Sequence, residues 1–546
     1  MAITETIEPT EQSSALRELQ WRVSHYQSLH TRAVAREKIL KQKVEALQQL
    51  AGQQKERLDA LLLENEKLRA RQTWLEQQIF GRKTEQLEHV DSKACESAAE
   101  TAEVATVGKK RGQQPGTNGH GRKRRSGLAT VEIPLDLPED KRCCPKCGKH
   151  LRPFPWTENS EEIHWEVRLF RRVYQRACYL PACECNVLPG IVAAPLPPKL
   201  IPKGMFSTEF WVRLLMQKFL FQQPLHRVRQ ALALEGLAVS QGTLTGGIKR
   251  IGSLVEPLYA MILERNRAAE HWHMDETRWQ VFAELEGKAG HRWWLWVMVT
   301  ADTCAYILDP SRSAAVPQNH LEGKTSGIIN ADRYSAYKAL DKIKIAFCWS
   351  HVRRDFLRVR DGYRPLRRWG QGWVARIDEL FKLNARRLEF SSMPDAFAAE
   401  QRVLREIMTA MVLVRDQELA DASLHPAARK VLKSLRYYWK GLTIFVDQPE
   451  IPMDNNEAER RLRNPVIGRK NYYGSGAVWS GTLSAALFTV FQTLLINHLD
   501  PKEFLLAYFQ ACALAGGRPP KDLSAWLPWN LTEEQKSSWG YPAKPP

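Results

Sequence analysis

Three acidic side chains, far apart in the chain, have the chemistry to hold divalent cations: Asp275 in HWHMDETRWQVF, Asp332 in GIINADRYSAYKAL and Glu459 in DNNEAERRLR. The first two border short apolar stretches that read as strands. The third follows Asp454, Asn455 and Asn456, whose side chains are natural helix N-caps. Carboxylate oxygens suit hard dications, and a pair of such ions stabilises the attacking and leaving oxygens of an in-line phosphoryl transfer. Arg460 and Arg463 flank Glu459, and Arg469 and Lys470 follow. Carboxylates for metal and guanidinium groups for phosphate are what such a transfer asks of a protein. Glu457 is a rival ligand, two positions away and on a different side of the helix. The combination implies a metal-dependent enzyme acting on nucleic-acid phosphodiesters.

The surrounding elements must bring these acids together. HWHMDETRWQVF, HRWWLWVMVT and CAYILDP read as three consecutive strands, followed by a helical stretch, SGIINADRYSAYKAL and IKIAFCWSHVRRDF. That order predicts an α/β fold, a mixed sheet flanked by helices as in a ribonuclease H-like core. Asp275 lies on its first strand and Asp332 at the C-terminal end of its fourth. The catalytic domain is expected over residues 266–500, interrupted from about 360 to 450 by an inserted helical subdomain facing DNA. Upstream, residues 204–265 read as helices. Leu225–Leu234 runs into Glu235, Gly236 and Leu237, and Ser240 opens the next helix, a pattern compatible with a helix-turn-helix reader of DNA.

The first 104 residues have a different texture. Leu40, Leu47, Leu61, Leu68 and Leu75 share one heptad position, and Val44, Ala51, Leu58, Asn65, Gln72 and Ile79 the other. This seam predicts a coiled coil through which the chain self-associates. Residues 105–130 form a linker without acidic residues, carrying Lys109, Lys110, Arg111, Arg122, Lys123, Arg124 and Arg125 among glycines. A flexible basic arm of this kind is expected to contact DNA phosphates without reading sequence. In the 131–203 segment, Cys144 and Cys147 form a CPKC knuckle suited to Zn²⁺. Cys183 and Cys185 are expected to complete the site, with Cys178 or Cys143 as substitutes. Residues 501–546 read as a C-terminal tail.

A formal charge of +18 over 546 residues favours a polyanionic partner. The N-terminus, MAITETIEPTEQSS, is unlike a secretory or organellar leader, and no run approaches the ~18 apolar residues that span a bilayer. The expectation is a soluble, cytoplasmic protein with reduced cysteines and no membrane partner.

Several long blocks together resemble the IS66 insertion-sequence transposase family: IFGRKTEQL, GQQPGTNGHGR, APLPPKLIPKG, DETRW, DRYSAYK, CWSHVRRDF, DNNEAERRLRNPVIGRKNYYGS and LPWN. The resemblance runs from the N-terminal helix to the C-terminus. It implies a DDE-type transposase whose triad is Asp275, Asp332 and Glu459, preferring Glu459 over Glu457. It also implies two Mg²⁺ (or Mn²⁺) ions that activate water to nick the element's end and then the freed 3′-OH to attack target DNA. Arg353 and Arg354 of CWSHVRRDF then read as phosphate or carboxylate partners near the site, and His351 as an orienting group. Family members commonly act with small companion proteins encoded by the same element. The alternative is a DNA-binding regulator with an inactive catalytic domain, which would not need all three acids.

Overall fold

The computed structural model describes residues 21–23, 25, 26, 131–143, 145–151, 163, 168–179, 191–286 and 290–541. The expected coiled-coil seam, the basic arm and Cys144, Cys183 and Cys185 lie outside the described residues. The chain divides into two compact units, one containing residues 172–541 and the other 82–171. In the smaller unit, a 3₁₀ turn at Glu139–Lys141 precedes an antiparallel bridge between Cys143 and His150.

In the larger unit a two-stranded hairpin, β1 (Cys178–Tyr179) with β2 (Val192–Ala193), precedes the helices. The main sheet is built on β3 (His271–Val281), β4 (Arg292–Val299), β5 (Cys304–Asp309), β6 (Ile328–Ala331) and β7 (Lys344–Phe347). Its spatial order is β5-β4-β3-β6-β7. The first three strands pair antiparallel, and β3-β6-β7 run parallel. β4 reads RWWLWVMV, apolar on successive residues, because both faces of the sheet are covered. Trp272 and Met274 enter one apolar cluster with Trp296, Met298, Ile329, Ala331 and Tyr337. Trp279 and Val281 enter the opposite one with Leu295, Val297, Val299 and Tyr306.

Helices build that second face. α1 (Thr208–Leu215) starts at Ser207, whose hydroxyl accepts from the Phe210 N–H. α2 (Leu225–Leu234) and α3 (Gln241–Ala268) are joined through Gly236 at φ +90°, and Ser240 caps α3 by accepting from Thr243 N–H at 3.1 Å. α3 buries Leu244, Ile248, Ile251, Val255, Leu258 and Ile262, the three-to-four spacing of one helix face. α1 packs so close to α3 that a Cβ on Gly247 would lie 1.9 Å from the Trp211 ring. On the other face, the short α4 (Ala315–His320) links β5 to β6.

After β7, four helices form an apolar cluster of their own around Trp349, Phe356, Trp373, Leu404 and Leu432. They are α5 (Trp349–Gly362), α6 (Arg367–Glu389), α7 (Pro394–Ala420) and α8 (Pro426–Leu442). The chain then returns to the sheet through α9 (Asn456–Tyr472) and β8 (Gly474–Ser475), which pairs parallel with the end of β3. Gly474 is required there: a Cβ would lie 2.1 Å from the Gln280 carbonyl oxygen, at φ +153°.

α10 (Val478–Ile496) contradicts the expectation that no run is long and apolar enough to cross a membrane. It passes that test of length and composition, but it is a core helix with 72% of the apolar stretch buried in protein. It is apolar all round because the sheet, α3 and the helices beside it leave it little contact with water. Thr489 and Thr493 are among its buried polar residues: their hydroxyls accept from the Tyr306 and Cys304 N–H groups on β5 at 2.8 and 3.1 Å. The free edge of the sheet is thereby covered. α11 (Pro501–Leu514) and the segment after it contribute Phe504, Leu505, Phe509, Leu527 and Leu531 to the same cluster as Leu200, Ile201 and Trp211.

Candidate metal centre

β3 and β6 run parallel in the register His271–Ile328, Trp272–Ile329, His273–Asn330. Continued by two residues, that register sets Asp332, just past the end of β6, beside Asp275 on β3. Neighbouring strands lie about 4.8 Å apart, so the two aspartates project side by side. Asp332 is held by the Tyr334 N–H, which donates to its Oδ1 at 2.9 Å, and Asp275 by the Glu276 N–H at 2.8 Å.

Glu459 arrives from α9, more than a hundred residues after Asp332. Asn455 directs it. Of the three expected cap residues, Asp454 accepts from the Asn456 N–H at 3.1 Å, whereas Asn455, at the N-cap position, does not cap with its side chain. Its Nδ2 instead donates to the Met274 carbonyl at 2.7 Å, its Oδ1 accepts from His273 Nδ1 at 3.3 Å, and its N–H meets Cys348 Sγ at 3.4 Å. Asn330 works in parallel: Nδ2 donates to the Pro452 and Asp454 carbonyls at 2.7 and 3.0 Å, and Oδ1 accepts from His271 Nε2 at 2.7 Å. Trp349 N–H donates to Met453 O at 2.9 Å. Glu459 sits one helical turn above Asn455, its N–H donating to the Asn455 carbonyl. The far end of α9 is fixed by Arg469, which donates to Thr277 Oγ1 and the Arg278 carbonyl. Asn464 and Asn471 donate to the Leu220 and Gln222 carbonyls.

The electrostatics are those of crowded carboxylates. Burial first, then the charge of Glu276, pushes the Asp275 carboxyl well above its ordinary range; Asp332 and Glu459 add to the rise, and the Glu276 N–H opposes it. Glu276 is a fourth acid that the sequence reading did not single out. It projects from the other face of β3, where Tyr337 OH donates to Oε2 at 2.7 Å and Arg312 forms an ion pair with Oε1. Burial raises its pKa as well. Glu457 and Glu459 diverge. Glu457 accepts from Arg460 and Arg461 at 3.1 and 2.8 Å, whereas Glu459 Oε1 lies 3.8 Å from His351 Nδ1. His351 Nδ1 is buried and has no hydrogen-bond partner among the described residues. Burial and the nearby Arg354 charge lower the His351 pKa, which favours the neutral imidazole.

Ligand atoms of Cys348, His351 and Glu459 lie within 4.8 Å of one another. With Asp332, Glu459 adds to the negative charge around Asp275, but the close group of ligand atoms among the described residues includes neither aspartate. With Cys348 and His351, Glu459 contributes to a sulfur, nitrogen and oxygen set suited to a borderline cation such as Zn²⁺. The family resemblance marked CWSHVRRDF as a block, but only the return of α9 brings Glu459 to it.

The expected DNA-contacting side chains are used unevenly. Arg463 and Lys470 are exposed on α9, and Arg460 is exposed while pairing with Glu457. Arg353 forms a two-point ion pair with Asp378 of α6, at 2.5 and 3.1 Å, and so joins two helices. Arg469 is likewise committed to β3. Of the expected zinc ligands and their substitutes, Cys147 and Cys178 are exposed thiols. Cys143 Sγ lies 3.4 Å from His150 Nδ1, a neighbour the cysteine spacing did not suggest.

Residues 203–483 match the family model described as Transposase IS66 family. Among curated proteins, the chain is 25% identical over 519 residues to "Uncharacterized protein y4jD" of Sinorhizobium fredii, covering 88% of this chain and 97% of that protein. It is 26% identical over 428 residues to "Uncharacterized protein y4hP" of the same organism, covering 73% and 74%.

Proposed function

Because the chain belongs to the IS66 transposase family, we propose that it cuts DNA at the ends of an insertion sequence and joins the freed 3′-OH to target DNA. Asp275, Asp332 and Glu459 are the ligands of two Mg²⁺ (or Mn²⁺) ions in this reading. The observation that carries it is the β3–β6 register beside α9. Asp332 from the neighbouring strand and Glu459 from the covering helix both add, after burial and Glu276, to the rise of the Asp275 pKa. The strand order, with three antiparallel strands followed by two parallel ones, supports a ribonuclease H-like core.

The donor set fits hard dications. Its atoms are carboxylate oxygens, and their mutual repulsion is the term a cation removes. When bound, such ions lower the pKa of a coordinated water and offset charge on the leaving oxygen. A bound cation would favour the ionised Asp275 carboxylate, opposing the burial and neighbouring charge that raise its pKa. Asn455 and Asn330 hold the loop before α9 on the sheet, so that Glu459 keeps its position relative to the aspartates. His351, neutral near pH 7, presents a nitrogen beside Glu459 that can hydrogen-bond without adding charge. The exposed Arg460, Arg463 and Lys470 offer cations to the DNA backbone along α9. The protein works in the cytoplasm, as an oligomer joined through its N-terminal helix, with Zn²⁺ held by Cys144, Cys147, Cys183 and Cys185.

The test is a Mg²⁺-dependent nicking assay on duplexes carrying candidate element ends, comparing the wild type with Glu459→Gln. Nicking by the wild type and none by the variant is expected. Equal nicking by both removes Glu459 from the chemistry.

A further inference from the structure

We propose that the corner between α5 and α6 is a second DNA-backbone site, a phosphate clamp in the helical region inserted after β7. A concavity of about 580 Å³ opens there, lined by Arg360, Asp361, Arg364, Pro365, Arg367, Arg368 and Gln371. Four guanidinium groups thus share one depression with a single carboxylate. Asp361 is spent on Arg360, which it meets at 2.7 and 3.1 Å, while Arg360 also donates to Gln371 at 3.0 Å. Arg364, Arg367 and Arg368 are exposed, and their guanidinium groups make no hydrogen bond or ion pair among the described residues. The concavity therefore carries a surplus of three positive charges with fork-shaped donors, the geometry that binds phosphate oxygens in pairs.

The clamp stands on a firm base. Leu366, between the arginines, is buried, and Gly370 packs against Arg360 so closely that a Cβ there would lie 2.8 Å from the Arg360 Cβ. Trp369 and Trp373 of α6 both donate to Glu418 of α7, at 2.8 and 2.9 Å. The guanidinium groups are thus mounted on braced helix ends.

α5 connects the clamp to the metal centre. His351 lies in its first turn and Arg360 in its last. At 1.5 Å per residue the separation along the axis is about 14 Å. Along a DNA strand that corresponds to about four base pairs. A duplex whose scissile phosphate reaches Asp275 and Asp332 can therefore lay a neighbouring stretch of backbone across the arginines. The choice of DNA as the occupant rests on the transposase reading, and on the chain's +18 charge.

The experiment uses full-length protein carrying Glu459→Gln, without divalent cations, so that cleavage plays no part in it. Affinity for a random-sequence duplex of about 30 base pairs is measured across a salt series. Each lost phosphate contact lowers the slope of log K against log salt by about 0.9. Adding Arg364→Ala, Arg367→Ala and Arg368→Ala together should therefore lower the slope by about two to three. The triple lysine variant, which keeps the charge on the same scaffold, should restore most of it. An unchanged slope in a folded alanine variant overturns the clamp and leaves the catalytic reading standing. If the wild type fails to nick while the slope change is present, the catalytic reading falls and the clamp stands.

Discussion

Asn455→Ala tests whether tertiary wiring, rather than the mere presence of three acids, makes the site. Asn455 is 1% exposed, and its side chain joins α9 to β3 through the Met274 carbonyl and His273. Truncation removes two hydrogen bonds of about 0.5–1.5 kcal/mol each and leaves buried polar groups facing a void, so a loss of about 2–4 kcal/mol is expected. Thermal unfolding should reveal it as a lower Tm. The catalytic effect should be larger than the stability effect. Glu459 lies one turn beyond Asn455, and a displacement of about 1 Å in a reacting group costs on the order of 10²-fold in rate. The assay is Mg²⁺-dependent nicking below the melting transition, with DNA affinity measured in parallel. Nicking should fall at least ~10²-fold while affinity stays within a few-fold. Asn455→Asp should not rescue, because it turns an acceptor toward the Met274 carbonyl and adds charge near Asp275. A folded Asn455→Ala protein that nicks like the wild type would refute the reasoning.

The remaining predictions concern charge, metal choice and packing. The folded-state pKa of Asp275 is raised, so the metal-free native chain holds a proton that the unfolded chain has released, and stability falls as pH climbs from about 4 through the raised value. Asp275→Asn should therefore raise the Tm of the metal-free protein at neutral pH, leave it nearly unchanged near pH 4, and abolish stabilisation by Mg²⁺; a lower Tm at neutral pH would contradict the assignment. Glu457→Gln should retain most nicking and cost at most ~1 kcal/mol of stability, since its ion pairs are partly exposed. Equal losses in Glu457→Gln and Glu459→Gln would show that the two acids are not distinguished. Zn²⁺ added to the Mg²⁺-supported reaction should inhibit by engaging Glu459 with Cys348 and His351, and Cys348→Ala should resist; equal inhibition of both proteins removes that donor set. Gly474→Ala should destabilise by at least ~1–3 kcal/mol through collision with β3, read from denaturant unfolding.

The continuous apolar run of β4, the bordering positions of Asp275 and Asp332, and the capped polar helix of Glu459 are local signals, and the sequence by itself determined them. Side-chain period and composition dictate what a segment becomes whatever it later touches. It also marked the succession of five strands along the chain, each by its own β-branched and aromatic content, but neither their order in the sheet nor β8. Residue spacing alone left Glu457 and Glu459 both open, and only the resemblance to a family chose between them. What tertiary structure decided is the use of each polar group. Glu457 turns to Arg460 and Arg461, Glu459 toward His351, Arg353 to Asp378, and Arg469 to β3. Glu276 and Asn330 carry no marker in the sequence that separates them from solvated residues of the same type, and Asn455 is marked only as a cap. Their roles come from register between β3 and β6 and from the return of α9 some 180 residues after β3. A hydrogen bond across that separation depends on how whole elements pack, which no local pattern of residues encodes.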